Sequence, residues 1–361
     1  MALNGKDNGN GRGGRPSAQL ATLLREEIAS GRIKAGDFMP TERELAARHE
    51  VARKTVGRAL GILEAEGLIH SSPRHGHRVL SRGHDPARGA PLAYVRHTTE
   101  EPERWGPLHG QLLTSLEAMA GSRGWSLLAV TSRGRPQAEV MEQLRTARVC
   151  GLILDTLDSE LVRLVSEAGM PAVMVDAWVE GAGVDAVVQD GYLGGLQAAR
   201  WLLSRGHRRI AWFGEVASTF QSRERFGGAA AALVAEDVQI PGAFRIEPPW
   251  DDFDGSARRL LERRDRPTAV LALWRERALA VVRAARELGL VLGRDLDVVG
   301  WATEEQYETE YRAELIGGPV PPAVVWSVRQ MAEAAMLRLI QHRDNPGVAP
   351  VQIRIPTRLK E

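Results

Sequence analysis

The sequence is poor in several residue types, and each shortage excludes a class of protein. Cys150 is the one cysteine, so the chain has no internal disulfide framework and suits a reducing compartment. No lysine occurs in residues 55–359, so this long stretch cannot form a Schiff base with pyridoxal phosphate. No Gly-Lys-Ser or Gly-Lys-Thr occurs, which excludes a Walker P-loop. No cofactor is therefore expected.

Long apolar runs are also absent. No stretch of about 18 apolar residues could cross a membrane, and residues 1–14 lack the apolar segment of a signal peptide. We therefore expect a cytoplasmic protein. The 361 residues, 43% of them hydrophobic, are enough for two or three domains with substantial cores.

The charge is divided unevenly along the chain. Residues 1–83 hold 14 Lys and Arg against 9 Asp and Glu, a charge of +5, whereas the whole chain carries only +1. The remainder is therefore acidic, at −4. A basic segment of this size favours binding to a phosphate backbone through release of counterions.

The basic segment contains a pattern of two short helices, PTERELAARHEVARKTVGRAL in residues 40–60. Thr41 and Glu44 have the spacing of a capping box, which predicts a helix that begins after Thr41. Residues 49–51 read as the turn. In the following helix the apolar positions recur at i, i+3, i+4 and i+7 and form one stripe, Val56, Ala59, Leu60 and Leu63.

The other faces of the second helix carry cationic and hydroxyl side chains. An apolar stripe beneath such side chains is typical of a helix that reads the major groove of DNA. The alternative is a solvated amphipathic pair of helices, which many globular proteins contain. An earlier helix with Leu20, Leu24 and Ile28, and a small hairpin between residues 68 and 80, favour a winged helix-turn-helix.

The order of these elements, with GRIKAGDFMPTERELA, ALGILEAEGLI and HG, resembles the GntR family of bacterial transcription regulators over residues 15–80. Position by position, the resemblance implies DNA contacts from Arg43, Arg53, Lys54, Thr55 and Arg58, with His75 and Gly76 at the tip of the wing. Two positions depart from the family pattern. Ala52 replaces a capping Ser or Thr, and Gly57 stands where an Arg is common, so Arg58 is expected to take over that contact.

The composition predicts four segments. Residues 1–14 are rich in Gly and Asn and read as a disordered tail, and residues 15–80 form the winged helix. A linker rich in Gly, Pro and charge follows in residues 81–91, and residues 92–361 form the second domain. The linker looks too irregular to form a hinge helix.

Strands and helices alternate through the second domain. We predict strands near 92–95, 126–131, 150–155, 171–176, 209–213, 243–247, 268–273 and 297–301. We predict helices near 106–122, 136–147, 158–168, 191–205, 223–236, 254–264, 276–288 and 322–342. Such alternation predicts an α/β fold of two lobes, each a parallel sheet covered by helices on both faces.

An ordered set of short strings resembles the effector domain of LacI-type regulators, which is similar to periplasmic sugar-binding proteins. The set includes Asp190-Gly191-x-x-Gly194-Gly195, then Gly206-His207-Arg208-Arg209, and finally Ile355-Pro356-Thr357-Arg358. The resemblance implies a type I two-lobed binding domain with a carbohydrate-like ligand between the lobes. A GntR-type reader joined to such a sensor resembles the arabinose-responsive repressors.

Candidate ligand contacts follow from this resemblance and from the ends of the predicted elements: Asp190, Arg225, Trp250, Trp274, Arg275 and, as a weaker candidate, Trp105. Each has an alternative role. Asp190 suits a helix N-cap equally well, Arg225 a surface position, and Trp250 a place in the core. Trp274 and Arg275 occupy positions where the family commonly has Asn and Asp, and Ala302 occupies a position where it commonly has Asp. The loss of hydroxyl acceptors predicts a ligand other than a plain neutral monosaccharide, with a carboxylate or phosphate on Arg225 or Arg275 as one possibility.

The combined features predict a ligand-responsive transcription repressor, not an enzyme, that binds an inverted-repeat operator as a homodimer. No nucleophile elbow is present, and the closely spaced His70, His75 and His77 lack the neighbours of a metal site. The alternative is a DNA-binding protein whose second domain has lost its sugar and serves dimerisation or a protein partner.

Overall fold

A computed structural model describes residues 16–29, 32–34, 36–65, 68–72, 76–79, 90–97, 108–132, 134–345 and 347–361. The chain divides into two compact units, residues 1–89 and residues 90–361. The expected tail at 1–14, the linker over 81–89 and the candidates His75 and Trp105 lie outside the described residues.

The first unit has the winged-helix order of elements. Its elements are α1 (Pro16–Ala29), α2 (Glu42–Arg48), α3 (Arg53–Ala65), β1 (Ile69–Ser72) and β2 (Gly76–Val79). The two strands are antiparallel, and Ile69 lies opposite Val79. The predicted three helices and hairpin are thereby confirmed.

Local sequence explains the helix pair of this unit. The Thr41 N–H donates to the Glu44 carboxylate over 2.8 Å, and the Glu44 N–H donates back to the Thr41 hydroxyl over 3.3 Å, so the predicted capping box is confirmed. The stripe of α3 is buried at all four positions, Val56, Ala59, Leu60 and Leu63. It packs with Leu24, Ile28 and Leu45 in one small core.

The second unit begins with a lobe built on a parallel sheet of order β13-β7-β6-β5-β3-β4. Its strands are β3 (Leu92–His97), β4 (Leu127–Thr131), β5 (Gly151–Thr156), β6 (Ala172–Val175), β7 (Asp185–Gln189) and β13 (Gln352–Ile355). Its helices are α4 (Leu108–Ser122), α5 (Gln137–Thr146), α6 (Ser159–Glu167) and α13 (Val328–Asp344). We call this part the N-lobe.

The C-lobe has a second six-stranded sheet of order β14-β12-β11-β10-β8-β9, in which only β14 is antiparallel to its neighbour. Its strands are β8 (Ile210–Phe213), β9 (Arg245–Ile246), β10 (Ala269–Ala272), β11 (Asp297–Thr303), β12 (Ala323–Trp326) and β14 (Arg358–Lys360). Its helices are α7 (Gly191–Ser204), α8 (Phe220–Val234), α9 (Phe253–Leu261), α10 (Arg275–Glu287), α11 (Glu304–Glu310) and α12 (Ala313–Ile316).

The chain crosses between the lobes three times, after β7, after β12 and after β13. Two of the crossings are joined to each other at Asp190. The Asp190 N–H donates to the Ile355 carbonyl over 2.8 Å, and the Thr357 hydroxyl donates to the Asp190 carbonyl over 3.0 Å. These bonds fix the segments about which two lobes of this kind can move.

The predicted secondary structure was wrong at the crossing after β12. Residues 322–342 were predicted as one helix, but Ala323–Trp326 form β12 and the helix begins only at Val328. The β-branched run Val324-Val325 lies between β11 and β14, so sheet pairing overrides the helical reading of a continuous apolar stretch. Strands β7, β13 and β14 and the short helices α11 and α12 were also not predicted.

Helices α7 and α8 approach each other so closely that two positions admit only glycine. A Cβ added to Gly228 would lie 1.9 Å from the Tyr192 carbonyl oxygen, and one added to Gly195 would lie 2.0 Å from that of Arg225. This contact positions Arg225 and the rest of α8 against the lobe crossing. None of the described helices is both long enough and apolar enough to cross a membrane.

Gly228→Ala should therefore lower the free energy of unfolding by more than about 3 kcal/mol, because the methyl group overlaps backbone that cannot move independently. Gly227→Ala is the matched control, since a Cβ there meets nothing nearer than 3.9 Å. We expect the control to be neutral or to gain about 0.5–1 kcal/mol from the higher helix propensity of alanine. Urea denaturation of both variants measures the difference, and similar stabilities would contradict this account of the helix contact.

Candidate functional site

The first unit presents the predicted cationic face. Arg53, Lys54 and Arg58 on α3 are exposed, and Thr55 between them is half-buried. Arg43 is exposed on α2. Exposed side chains of this kind on the second helix of a helix-turn-helix are free to contact phosphates and base edges.

The two departures from the family pattern have simple structural consequences. The Ala52 carbonyl accepts the Val56 N–H over 3.2 Å, so Ala52 is the N-cap of α3 and offers no side-chain oxygen. A Cβ at Gly57 would lie 3.5 Å from Glu42 Oε1, an ordinary contact distance. Gly76 begins β2 with φ +89°, a conformation that favours glycine at the turn of the wing.

A cleft of about 780 Å³ lies between the N-lobe and the C-lobe. The N-lobe contributes Asp155 at the end of β5 and Asp176 directly after β6. The C-lobe contributes Glu215 after β8 and Trp274 after β10. These positions are the carboxyl ends of parallel strands, where open α/β sheets bind their ligands.

The guanidinium of Arg225 lies beneath the C-lobe wall of the cleft. Arg225 is 0% exposed, and its Nη2 donates to Gln189 Oε1 over 2.6 Å. The ring of Trp274 covers the guanidinium at 4.1 Å from carbon to centroid, and the rings of Trp301 and Trp326 each lie at 5.4 Å. Burial lowers the pKa of Arg225 to about 9 against the opposing effect of nearby carboxylates.

Gln189 joins Arg225 to the N-lobe carboxylate Asp176. Its Nε2 donates to Asp176 Oδ1 over 2.9 Å, while the Asp176 carbonyl accepts from the Gln221 amide. Burial raises the pKa of Asp176, although the bond from Gln189 and the charge of Arg225 oppose this. The backbone of Asp176 has φ +48°, which Asp tolerates better than most residues.

A second polar group lies on the N-lobe wall. The Tyr94 hydroxyl and His109 Nδ1 both bind Asp155 Oδ2, the latter over 2.5 Å. Burial opposes protonation of His109, but its hydrogen bond to Asp155 and the charge of that carboxylate outweigh burial and raise the pKa of the imidazole. The carboxylate of Asp155 therefore already has two donors within the protein.

Glu215 is held by an arginine behind the wall. Arg277 is 1% exposed, and its Nη2 lies 2.5 Å from Glu215 Oε1. The other carboxylate oxygen, Oε2, is buried and has no hydrogen-bond partner among the described residues. The guanidinium of Arg277 also lies 5.1 Å from the ring centroid of Trp250, which is 44% exposed and lines the cleft.

Trp274 and Arg275 have unusual surroundings at the start of α10. Trp274 has φ +69° and ψ 155°, a region that side-chain-bearing residues rarely occupy and that costs about 1–3 kcal/mol. The packing that offsets this cost holds the ring over Arg225. Arg275 lines the cleft, but it is paired with Glu276 over 2.8 Å and with Glu310.

Only some of the predicted ligand residues therefore line the cleft. Trp250, Trp274 and Arg275 line the cleft. Asp190 does not, because its Oδ1 accepts the Leu193 N–H over 3.0 Å and caps α7, which is the alternative role considered for it. Arg225 is neither on the surface nor on the lining, because Trp274 covers it.

Several residues of the cleft lining were not among the candidates: His109, Asp155, Asp176, Glu215, Trp301 and Trp326. Gln189, which joins Asp176 to Arg225, was not a candidate either. A signal existed for Asp155 and Asp176, since each ends a predicted β-branched strand at the edge where ligands bind. No local pattern marks Gln189 or Glu215, because their roles depend on arginines 36 and 62 positions away.

Removal of the Gln189 amide should show how much the buried Arg225 depends on it. Gln189→Leu takes away the acceptor for Arg225 and the donor for Asp176, so we expect a loss of about 3 kcal/mol of unfolding free energy. Gln197→Leu is the matched control on α7, because the side-chain oxygen of Gln197 is buried and has no partner among the residues that the structure describes. The control should be neutral or stabilising. Equal losses in the two variants, measured by urea denaturation, would contradict this assignment.

Two family models match the chain. The model described as bacterial regulatory proteins of the gntR family matches residues 16–79, and the model described as a periplasmic binding protein-like domain matches residues 199–361. The two matches fall in the first and second units respectively.

Known relatives are transcription regulators rather than enzymes. The arabinose metabolism transcriptional repressor of Geobacillus stearothermophilus is 26% identical over 304 residues, which cover 78% of this chain and 80% of the relative. The HTH-type transcriptional regulator DegA of Bacillus subtilis (strain 168) is 30% identical over 55% of this chain and 62% of its own length.

Solved structures share the fold. The transcriptional regulator CelR in complex with cellobiose aligns with a TM-score of 0.65 at 22% identity, over 90% of this chain and 99% of that one. The lac repressor dimer bound to operator and the anti-inducer ONPF aligns with a TM-score of 0.63 at 21% identity, over 76% of this chain and 93% of that one. The chain is thus similar to the gntR family over its winged helix-turn-helix and to periplasmic binding protein-like domains over much of its second unit, and its relatives include transcriptional repressors.

Proposed function

We propose that this chain is a ligand-responsive, DNA-binding transcription repressor. The observation that carries the proposal is that one chain holds both an exposed cationic recognition helix and a two-lobed domain with a cleft of ligand size. The winged helix would contact an inverted-repeat operator as part of a homodimer, since a two-fold protein matches a two-fold site. Binding to such an operator would place the protein in the cytoplasm.

The proposed DNA contacts are Arg43, Arg53, Lys54, Thr55 and Arg58, with His75 and Gly76 at the wing. Thr55 and the three cations of α3 supply base-edge and phosphate contacts, whereas Gly76 lets the wing backbone approach the minor groove. The four proposed segments are a tail at 1–14, the winged helix at 15–80, a linker at 81–91 and the effector domain at 92–361.

The proposed effector is a small carbohydrate-like molecule held in the cleft. Relatives include a repressor named for arabinose metabolism and a regulator solved with cellobiose, which supports this chemical class. Trp250 and Trp274 offer ring faces to such a ligand. The effector would change DNA affinity only through a difference in its affinity for two states of the protein.

The alternative, a second domain that has lost its ligand, is disfavoured by the polar atoms of the cleft. Trp301 and Trp326 line it, are 1% and 3% exposed, and have indole N–H groups without a partner among the described residues. Buried donors are rarely left unpaired, because each costs about 1–3 kcal/mol. A bound ligand with oxygen acceptors would satisfy them.

Arg53→Ala tests the DNA-binding part of the proposal. Operator fragments are first selected from random duplex DNA by the purified full chain. If Arg53 reads a base, the variant should then bind the selected site about 1–3 kcal/mol more weakly in a mobility-shift titration at fixed salt.

Arg25→Ala is the control, since it removes the same charge from α1, where Arg25 donates to Thr22. It should bind DNA as the unaltered chain does. Failure of the full chain to enrich any duplex would refute the DNA-binding function, and equal affinities of the two variants would remove Arg53 from the contact surface.

A further inference from the structure

The lining of the cleft carries an excess of negative charge. Its six carboxylates are those of Asp155, Asp158, Asp176, Glu215, Glu247 and Glu276, and its cationic groups are two arginines and one histidine, Arg96, Arg275 and His109. With the two arginines behind the wall, Arg225 and Arg277, five cationic groups stand against the six carboxylates. In a partly enclosed cavity such an excess attracts cations and repels anions.

Neither of the arginines expected to bind an anionic ligand presents an unpaired guanidinium to the cavity. Nε and Nη1 of Arg225 have no partner among the described residues, but they are buried and Arg225 is not part of the lining. Arg275 is held by Glu276 and Glu310, and Trp274 separates Arg225 from the cavity. Burial lowers the pKa of Arg96, and the nearby carboxylate of Asp155 opposes only part of this effect. The expectation of a ligand carboxylate or phosphate on Arg225 or Arg275 is therefore not supported by the positions of those two side chains.

Two carboxylates of the lining, in contrast, have negative charges that the surrounding protein groups do not fully neutralise. Glu215 Oε2 is buried without a partner in the described part of the chain, although Arg277 holds the other oxygen. Asp176 is 9% exposed, and burial raises its pKa despite Gln189 and Arg225. Both carboxylates line the cleft, Asp176 from the N-lobe and Glu215 from the C-lobe. A cation placed between them would offset the cost of their burial.

The tryptophans of the lining need a hydrogen-bond acceptor rather than a cation. The unpaired indole N–H groups of Trp301 and Trp326 are more than nine-tenths buried, and they require acceptors such as hydroxyl or ring oxygens. The tryptophan rings on the lining also suit the C–H face of a saturated ring. The ligand should therefore offer oxygen acceptors and a positive charge together.

We infer that the cleft binds a hydroxylated ring compound that carries an ammonium group, of the amino-sugar class, with Asp176 and Glu215 as its anionic partners. This inference rests on the proposed function, because it specifies the effector of the same cleft. Neutral sugars would leave the two carboxylates uncompensated. Uronic acids and sugar phosphates would add a further negative charge beside them.

Isothermal titration calorimetry of the full chain with matched ligand sets tests the inference. Each set shares one ring: glucosamine, N-acetylglucosamine, glucose and glucuronate, and the corresponding four galactose derivatives. N-acetylation keeps the size of the amino sugar but removes its charge. We expect an amino sugar to bind at least about tenfold more tightly than its N-acetylated and neutral counterparts, as a charge-assisted hydrogen bond provides.

Asp176→Asn is the informative variant, because asparagine keeps the acceptor for Gln189 and tolerates the left-handed backbone at this position. It should weaken amino-sugar binding about tenfold and leave binding of the neutral sugar nearly unchanged. Asp265→Asn is the control, since Asp265 pairs with Arg263 on the surface and is not part of the lining. Glu215→Gln is less suitable because it would also leave the buried Arg277 without its anion.

Tighter binding of a neutral sugar or a uronic acid would overturn the inference while the proposed ligand response stands. An equal effect of Asp176→Asn on charged and neutral members would also overturn it, because the variant would then act through structure rather than charge. Absence of binding by all eight compounds would overturn it as well. The DNA-binding function would remain separately measurable, since the operator titration requires no ligand.

Discussion

The buried guanidinium of Arg225 is the constraint on which the second unit depends. It extends from α8 of the C-lobe to Gln189 at the end of the N-lobe sheet, and through Gln189 it reaches Asp176. A buried charge of this kind must be held in place from all sides. The close contact of α7 with α8 supplies one side, and the tryptophan rings supply the others.

The same arrangement decides what the cleft can offer a ligand. Because Trp274 covers Arg225, the positive charge of the guanidinium does not face the cavity. The carboxylates of Asp176 and Glu215, in contrast, line it. The strained backbone at Trp274 costs local stability, and the ring that it positions covers Arg225. The cleft is thus acidic and aromatic although an arginine lies directly beneath it.

Sequence reasoning was strongest where chemistry is local. The capping box of Thr41 and Glu44 and the apolar stripe of α3 were readable because each depends on residues within two helical turns. The strands that end at Asp155 and Asp176 were also readable from their apolar runs. The helix predicted over 322–342 was wrong at its start, since whether Ala323–Trp326 pair as a strand depends on β11 and β14 rather than on their own pattern.

The sequence by itself determined the two-part plan, a basic helix-turn-helix followed by an α/β domain, because composition and periodicity record burial along each element. Only the tertiary structure decided which charged side chains line the cavity. Asp190 caps a helix and Arg225 is fully buried, whereas the carboxylates of Asp176 and Glu215 line the cleft. These roles depend on partners that are distant in the chain, and the free energy of a charge depends on its neighbours and burial rather than on its position in the sequence.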